Sequence, residues 1–143
     1  MNNVVAIAND HAGVALKQAL LPEIEALGFE VLNLGTDSAD SVDYPDFGKK
    51  LAETVASGKA RFGIAICGSG IGISIAANRV KGARAALCST GLAAELSRQH
   101  NDANILALGA RLIGEQEAKE CLHRFLTTGF EGGRHGKRVE KLG

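Results

Sequence analysis

The chain has no tryptophan, one tyrosine and only 4% aromatic residues. Proteins that stack single-stranded bases need several exposed rings, so that class of binder is not expected. An excess of either charge is also missing: 16 Lys and Arg balance 16 Asp and Glu, leaving no broad field for nucleic acid or an anionic membrane. Any anion site must be a local arrangement of a few groups. No apolar run approaches the ~18 residues of a transmembrane helix. No basic segment precedes the first apolar run at Val4, so a secretory signal is not expected either. Cysteines are few, at Cys67, Cys88 and Cys121, with no Cys-x-x-Cys pair. That spacing suits neither a disulfide framework nor structural zinc, and the expected compartment is reducing, by default the cytoplasm.

Glycine is plentiful, with 18 residues in 143, against a usual share of ~7%. With 45% hydrophobic and 22% charged residues, the chain has the material for one folded domain over residues 1–143. Short apolar runs alternate with helix-period segments. Val4–Ala8, Phe29–Leu34, Phe62–Cys67, Ala83–Leu87 and Ile105–Leu108 read as strands. Between them, Ala15 to Leu27 (ended by Gly28), Phe47–Ala56, Ile73–Asn78, Leu92–Gln99 and Gly114–Leu126 read as helices. A basic, glycine-rich tail follows. The alternation predicts a three-layer, Rossmann-like α/β domain, with a five-stranded parallel sheet covered by helices on both faces. Strand order is not written in the pattern, but 2-1-3-4-5, the flavodoxin-like order, is usual for five strands. Ligands in such sheets bind beyond the carboxyl ends of the strands at the first/third switch point. Two chemically loaded segments sit there: Asn9-Asp10-His11-Ala12-Gly13, and Cys67-Gly68-Ser69-Gly70-Ile71-Gly72.

Cys67 ends an apolar strand and leads through glycines into a helix. Successive N–H groups in such a turn, with the helix dipole behind them, form an anion cradle and favour a thiolate. The bland alternative is a small buried hydrophobe, which is the reading for Cys88 and Cys121. The glycine run is neither a dinucleotide fingerprint, since Ile73 stands at its third glycine, nor a phosphate loop ending Gly-Lys-Ser/Thr. Asp10 could orient a hydroxyl or simply cap the next helix. His100, followed by Asn101, suits acid–base work near neutral pH, or a helix C-terminus where the dipole favours it. Arg134 and Arg138 are four apart and would share one face of a helix, gripping a phosphate, or would belong to a solvated tail. Arg111 follows the fifth strand, again at a carboxyl end.

Taken in order, these segments, with Asp43-Tyr44-Pro45-Asp46, Ala76-Ala77-Asn78, His100-Asn101-Asp102-Ala103-Asn104 and Leu108-Gly109-Ala110-Arg111, closely resemble the ribose-5-phosphate isomerase B (RpiB/LacAB) family of sugar-phosphate isomerases. The resemblance spans nearly the whole chain. It implies a cofactor-independent aldose–ketose isomerase, interconverting ribose 5-phosphate and ribulose 5-phosphate through an enediolate, with no metal. It also implies a homodimer or dimer of dimers with active sites between subunits, the tail over residues 128–143 packing on the partner. Cys67 would be the base; some members use a glutamate, but Ile73-Ser74-Ile75 carries no carboxylate. His100 would open the furanose ring, Asp10 would hold a ring hydroxyl or oxygen, and Tyr44 would shape the pocket. Arg111, Arg134 and Arg138 would contact phosphate with help from His11, and Asn101 would contact hydroxyls. The run from Gly68 to Gly72 would line the substrate, with the Ser69 hydroxyl and the amides of Gly70, Ile71 and Gly72 stabilising the enediolate oxygen. The alternatives are another sugar phosphate (galactose 6-phosphate, allose 6-phosphate or a tetrose phosphate) or, in a different class, a non-catalytic nucleotide-binding module.

Overall fold

Each apolar run becomes a strand, all five pairing in parallel: β1 (Val4–Asn9), β2 (Glu30–Asn33), β3 (Phe62–Cys67), β4 (Ala85–Leu87) and β5 (Ile105–Gly109). The structure, a computed structural model, describes residues 2–143. The helices are α1 (Val14–Ala26), entered through a 3-10 turn at His11–Gly13, α2 (Tyr44–Ala56), α3 (Ile71–Ala77), α4 (Gly91–Asn101), α5 (Glu115–Thr127) and α6 (Arg134–Leu142). Gly28 takes φ +90 just past α1, the left-handed stop expected of it. The basic tail is helical, and α3 starts two residues earlier than its apolar spacing suggests, because Gly70 already opens it.

The sheet order is β2-β1-β3-β5-β4, so the last two strands exchange places relative to the usual order. The reason is burial. Every residue of β5 is buried, which demands a neighbour on each side, whereas β4 is three residues long and half-exposed, fit only for an edge. Layering matches the sequence reading. Leu20 and Ile24 of α1 join Ala94 of α4 and Leu122 and Phe125 of α5 on one sheet face. Leu51, Ala52 and Val55 of α2 join Ile73 and Ala77 of α3 on the other. Connections leaving β1 and β3 toward opposite faces open a crevice at their carboxyl ends.

One buried charge shapes the rim of that crevice. Lys17 on α1 has a side chain 0% exposed, and its ammonium donates to Asp37 Oδ1 at 2.5 Å, the Thr36 carbonyl at 2.7 Å and Asn33 Oδ1 at 3.3 Å. These bonds fasten the polar loop between β2 and α2, which runs on to Tyr44. Hydrogen bonds from Lys17 and Asn33 hold the Asp37 carboxyl below its ordinary 3.8. A value depressed by folding contributes stability above the unfolded value and loses it as pH falls through the folded one. Asp37→Asn is therefore expected to lower the melting temperature at pH 7, with the gap to the parent narrowing as the pH drops below 3.8. A gap that stays constant into acid would remove the ion pair from the account.

Candidate active site

The thiol stands where β3 runs out. Cys67 is followed by a turn in which Gly70 adopts φ +75, a conformation costly for any residue with a Cβ. The end of β5 is clipped onto this turn: the Ala110 amide donates to the Cys67 carbonyl and the Arg111 amide to that of Gly68, both at 2.9 Å. Close approach requires glycine on both sides. A Cβ on Gly109 would lie 2.5 Å from the Ser69 carbonyl oxygen, and one on Gly70 2.8 Å from the Leu108 carbonyl carbon. Clipping lays the Arg111 guanidinium over Gly68, 3.2 Å from where a Cβ would stand. From β1, the Asp10 amide donates to the Ile66 carbonyl at 3.2 Å, joining the first and third strands at the crevice. Asp10 Oδ1 also accepts from the Ala12 amide at 3.0 Å, so the capping role is real and coexists with its place in the wall.

The result is a cavity of about 560 Å³ lined by Asp10, Tyr44, Cys67, Gly68, Ser69, Ile71, Gly72, Ile75, Arg111 and Leu112. Cys67 is 4% exposed yet forms part of this wall. The Gly70 amide points at its Sγ at 3.2 Å, a contact that strengthens when sulfur carries negative charge. The Ile71 amide is likewise used, by Ser69 Oγ at 3.1 Å. Of the three amides expected to form an anion cradle, Gly70 therefore serves the sulfur and Ile71 orients the serine, while Gly72 has no partner among the described residues. Ser69 Oγ accepts from Ile71, which leaves its own hydrogen free to donate into the cavity. Burial pushes the Cys88 and Cys121 thiols up, Cys121 to about 12, in keeping with their reading as buried hydrophobes.

Gly72 does a second job. A Cβ there would sit 2.5 Å from the Tyr44 ring, so glycine lets the phenol lie against the mouth of α3. The backbone of Gly72 is helical and accepts alanine, so Gly72→Ala is expected to leave the fold intact while displacing Tyr44. A several-fold rise in KM with little change in kcat, read from initial rates, is the expected result; unchanged KM would take Tyr44 out of the substrate wall.

The remaining residues do not join this cavity. His100 and Asn101 form the last turn of α4 rather than following it. That helix returns from the carboxyl end of β4 to the amino end of β5, placing them at the end of the sheet opposite Cys67. A five-residue strand alone separates the two ends by ~17 Å. His100 stacks on His135, ring centroids 4.5 Å apart. Both Nε2 atoms approach Glu131 Oε1, at 3.9 and 3.8 Å. Burial, then the nearby His100 and Arg134, hold His135 below its ordinary pKa. With Arg138, Val139, Leu142 and Asn101, the two histidines line a second cavity of about 270 Å³. Arg134 and Arg138 lie one turn apart on α6, as their spacing requires. His11 lines neither cavity; its Nδ1 accepts from the Val42 amide at 3.2 Å, so the ring proton resides on Nε2.

Sequence reasoning missed several participants. Ile75 and Leu112 wall the first cavity but carry no chemistry to betray them. Arg98, 7% exposed, donates to Asp102 Oδ1 at 2.9 Å and the carbonyls of Ala103 at 2.6 Å and Thr128 at 3.1 Å, bracing the turn that bears His100. Its place two residues before His100 was the available signal.

A doubly wound sheet, with a thiol, a carboxylate and a guanidinium around one crevice at its switch point, defines a small-molecule enzyme of the Rossmann-like class. The ribose/galactose isomerase family matches the chain over residues 5–142, and the chain belongs to that family. It is an isomerase. Ribose-5-phosphate isomerase B of Escherichia coli is 45% identical over 138 residues, which cover 96% of this chain and 93% of that protein. The structure of Clostridium thermocellum ribose-5-phosphate isomerase B superposes with a TM-score of 0.95 at 50% identity, covering 98% of this chain and 95% of the other. That of the Mycoplasma genitalium protein with bound ribulose-5-phosphate gives 0.93 at 40% identity, covering 97% and 93%.

Proposed function

We propose that this protein interconverts ribose 5-phosphate and ribulose 5-phosphate, with Cys67 as the base and His100 of a second subunit opening the ring. The observation that carries the reading is the thiol of Cys67 in the wall of the switch-point cavity, with the Gly70 amide on its sulfur and the Arg111 side chain close by. Ribulose-5-phosphate bound to a relative of 0.93 TM-score supports the substrate class. In the open-chain aldose the thiolate takes the proton from C2, and the electron pair moves onto the carbonyl oxygen to give the enediolate. The thiol then returns the proton to C1, and exchange of a proton between O1 and O2 completes the ketose. Electrons are redistributed only within the sugar, so the balance needs no redox partner. The Ser69 hydroxyl and the Gly72 amide are the donors left for the enediolate oxygen, each worth ~3 kcal/mol at a comparable oxyanion.

The separation of the two cavities supports a second subunit. Ring opening needs an acid and a base at the sugar, yet His100 lies at the far end of its own sheet. Two features support the pairing. Helix α6 is nine residues long and buries none of them, although a helix that short is marginal without a packing surface. Ile71 and Ile75 on α3, Leu92 and Leu96 on α4, and Leu87 on the edge strand β4 are exposed, large apolar side chains of the kind an interface covers. A homodimer, or a dimer of dimers, would bring His100, Asn101, Arg134 and Arg138 of one chain to the Cys67 cavity of the other. Among the described residues no helix is long and apolar enough to cross a membrane, and three free thiols suit a cytoplasmic setting.

The test is ketose formation from a panel of aldose phosphates, without added metal or cofactor. Ribose 5-phosphate is expected to be turned over best; preference for galactose 6-phosphate or allose 6-phosphate would reassign the substrate, and no turnover at all would end the isomerase reading. Arg138→Ala and Arg134→Ala are expected to raise KM for ribose 5-phosphate by tenfold or more with smaller effects on kcat, as loss of a charge-assisted phosphate contact worth ~1.5–3 kcal/mol would. Unchanged kinetics in both would return α6 to a solvated tail.

A further inference from the structure

The geometry points to a divalent transition-metal site of the zinc class, formed by His100, Glu131 and His135, at which a bound ion switches the enzyme off by taking the Nε2 of His100. The three ligand atoms all lie within 4.8 Å of one another, and the two contacts to Glu131 Oε1 are 3.9 and 3.8 Å. Zinc bonds of ~2.0–2.2 Å place tetrahedral ligand atoms about 3.3–3.6 Å apart, so the two contacts to Glu131 need close by only a few tenths of an ångström, and the remaining separation, within 4.8 Å, closes when a ring turns. The donors are also of the right kind: two imidazoles and one carboxylate, leaving a fourth position for water, are a zinc set, whereas magnesium and calcium prefer oxygen cages.

The scaffold holds the donors near one another independently of any ion. His100 is fixed on α4 by the bracing of Arg98, and the Glu131 amide donates to the Gln99 carbonyl at 3.1 Å, tying the segment before α6 to the same turn. Glu131 and His135 are four residues apart, a chelating interval. The two rings stack at an interplanar angle of 16°, so one of them must turn about its χ2 to aim its lone pair at a shared ion. His100, with a side chain 41% exposed, has the room. Arg138 lines the same cavity and opposes a cation, which sets the expected affinity in the micromolar rather than nanomolar range. Binding forms N–Zn and O–Zn bonds from existing lone pairs and displaces water; nothing is oxidised or transferred.

The inhibition half of this inference rests on His100 acting as proposed above; the binding half does not. Zinc chloride titrated into the metal-free, full-length protein in a calorimeter is expected to show one site per chain, and magnesium none. Glu131→Ala, whose backbone bond to Gln99 is retained, is expected to weaken zinc at least tenfold, as is His135→Ala. Isomerase activity of the parent should fall with zinc over the same concentrations and return with a chelator, and each variant, read against its own metal-free rate, should need at least tenfold more zinc. Equal affinity in the parent and both variants would overturn the site, as would binding lost in Cys67→Ser and kept in Glu131→Ala, which would put the ion on the thiol. A parent with no isomerase activity before zinc is added refutes the proposed function alone, since calorimetry still decides the site. Stoichiometric binding without inhibition overturns the switch.

Discussion

Cys67→Ser is expected to lower kcat for ribose 5-phosphate by about a thousandfold or more while the melting temperature and the affinity for a non-reacting sugar phosphate stay near those of the parent. A positioned base contributes ~10²–10⁴ in rate, and a serine hydroxyl, far less acidic than a thiol, supplies almost no anion at neutral pH. The fold has little reason to notice. Serine differs from cysteine by one atom, and its oxygen can accept the Gly70 amide that now points at Sγ. Binding should persist because the arginines and the Asp10 wall do not depend on the sulfur. Structural damage would lower kcat together with stability and affinity; the loss of a base lowers kcat alone. A variant that keeps most of its kcat removes the thiol from proton transfer and leaves Asp10 as the carboxylate lining the same cavity.

Much of this site is legible in the sequence because its parts are contiguous. A run such as Cys67 to Gly72 carries its own geometry: a strand that stops, a left-handed glycine, and a helix whose first amides have no partner within the helix. The alternation of apolar runs and helix-period segments is equally local, and the sheet, its two covered faces and the switch-point crevice follow from it. Strand order is not local. Placing β5 inside and β4 at the edge depends on relative burial, which a three-residue strand beside a five-residue one reveals only once both are paired. The use of the amides is not local either: the spacing shows that Gly70, Ile71 and Gly72 can all face an anion, but not that two of them are engaged by the side chains of Cys67 and Ser69. Lys17 is harder still. Its position in α1 looks like a solvated face, and only the returning loop with Thr36 and Asp37 makes burial of the ammonium tolerable.

Mixing two inactive variants is expected to restore activity. If Cys67 of one chain works with His100 of another, a dimer of Cys67→Ala with His100→Ala holds one site that lacks both groups and one that lacks neither. Random exchange of equal amounts gives hybrids as half of all dimers, so about a quarter of the parental activity should return after the subunits reassort. Each variant alone should stay near the background, because every site in a pure dimer lacks one of the two groups. The topology makes the alternative sharp. α4 carries His100 to the amino end of the sheet, and β3 delivers Cys67 to its carboxyl end. A site within one chain would need one of these elements to reverse, against the fully buried pairing of β3 with β5. With the site inside one chain, every site would lack one of the two groups whatever the exchange, and no mixture could recover. Activity that remains at background after verified subunit exchange therefore refutes the shared site.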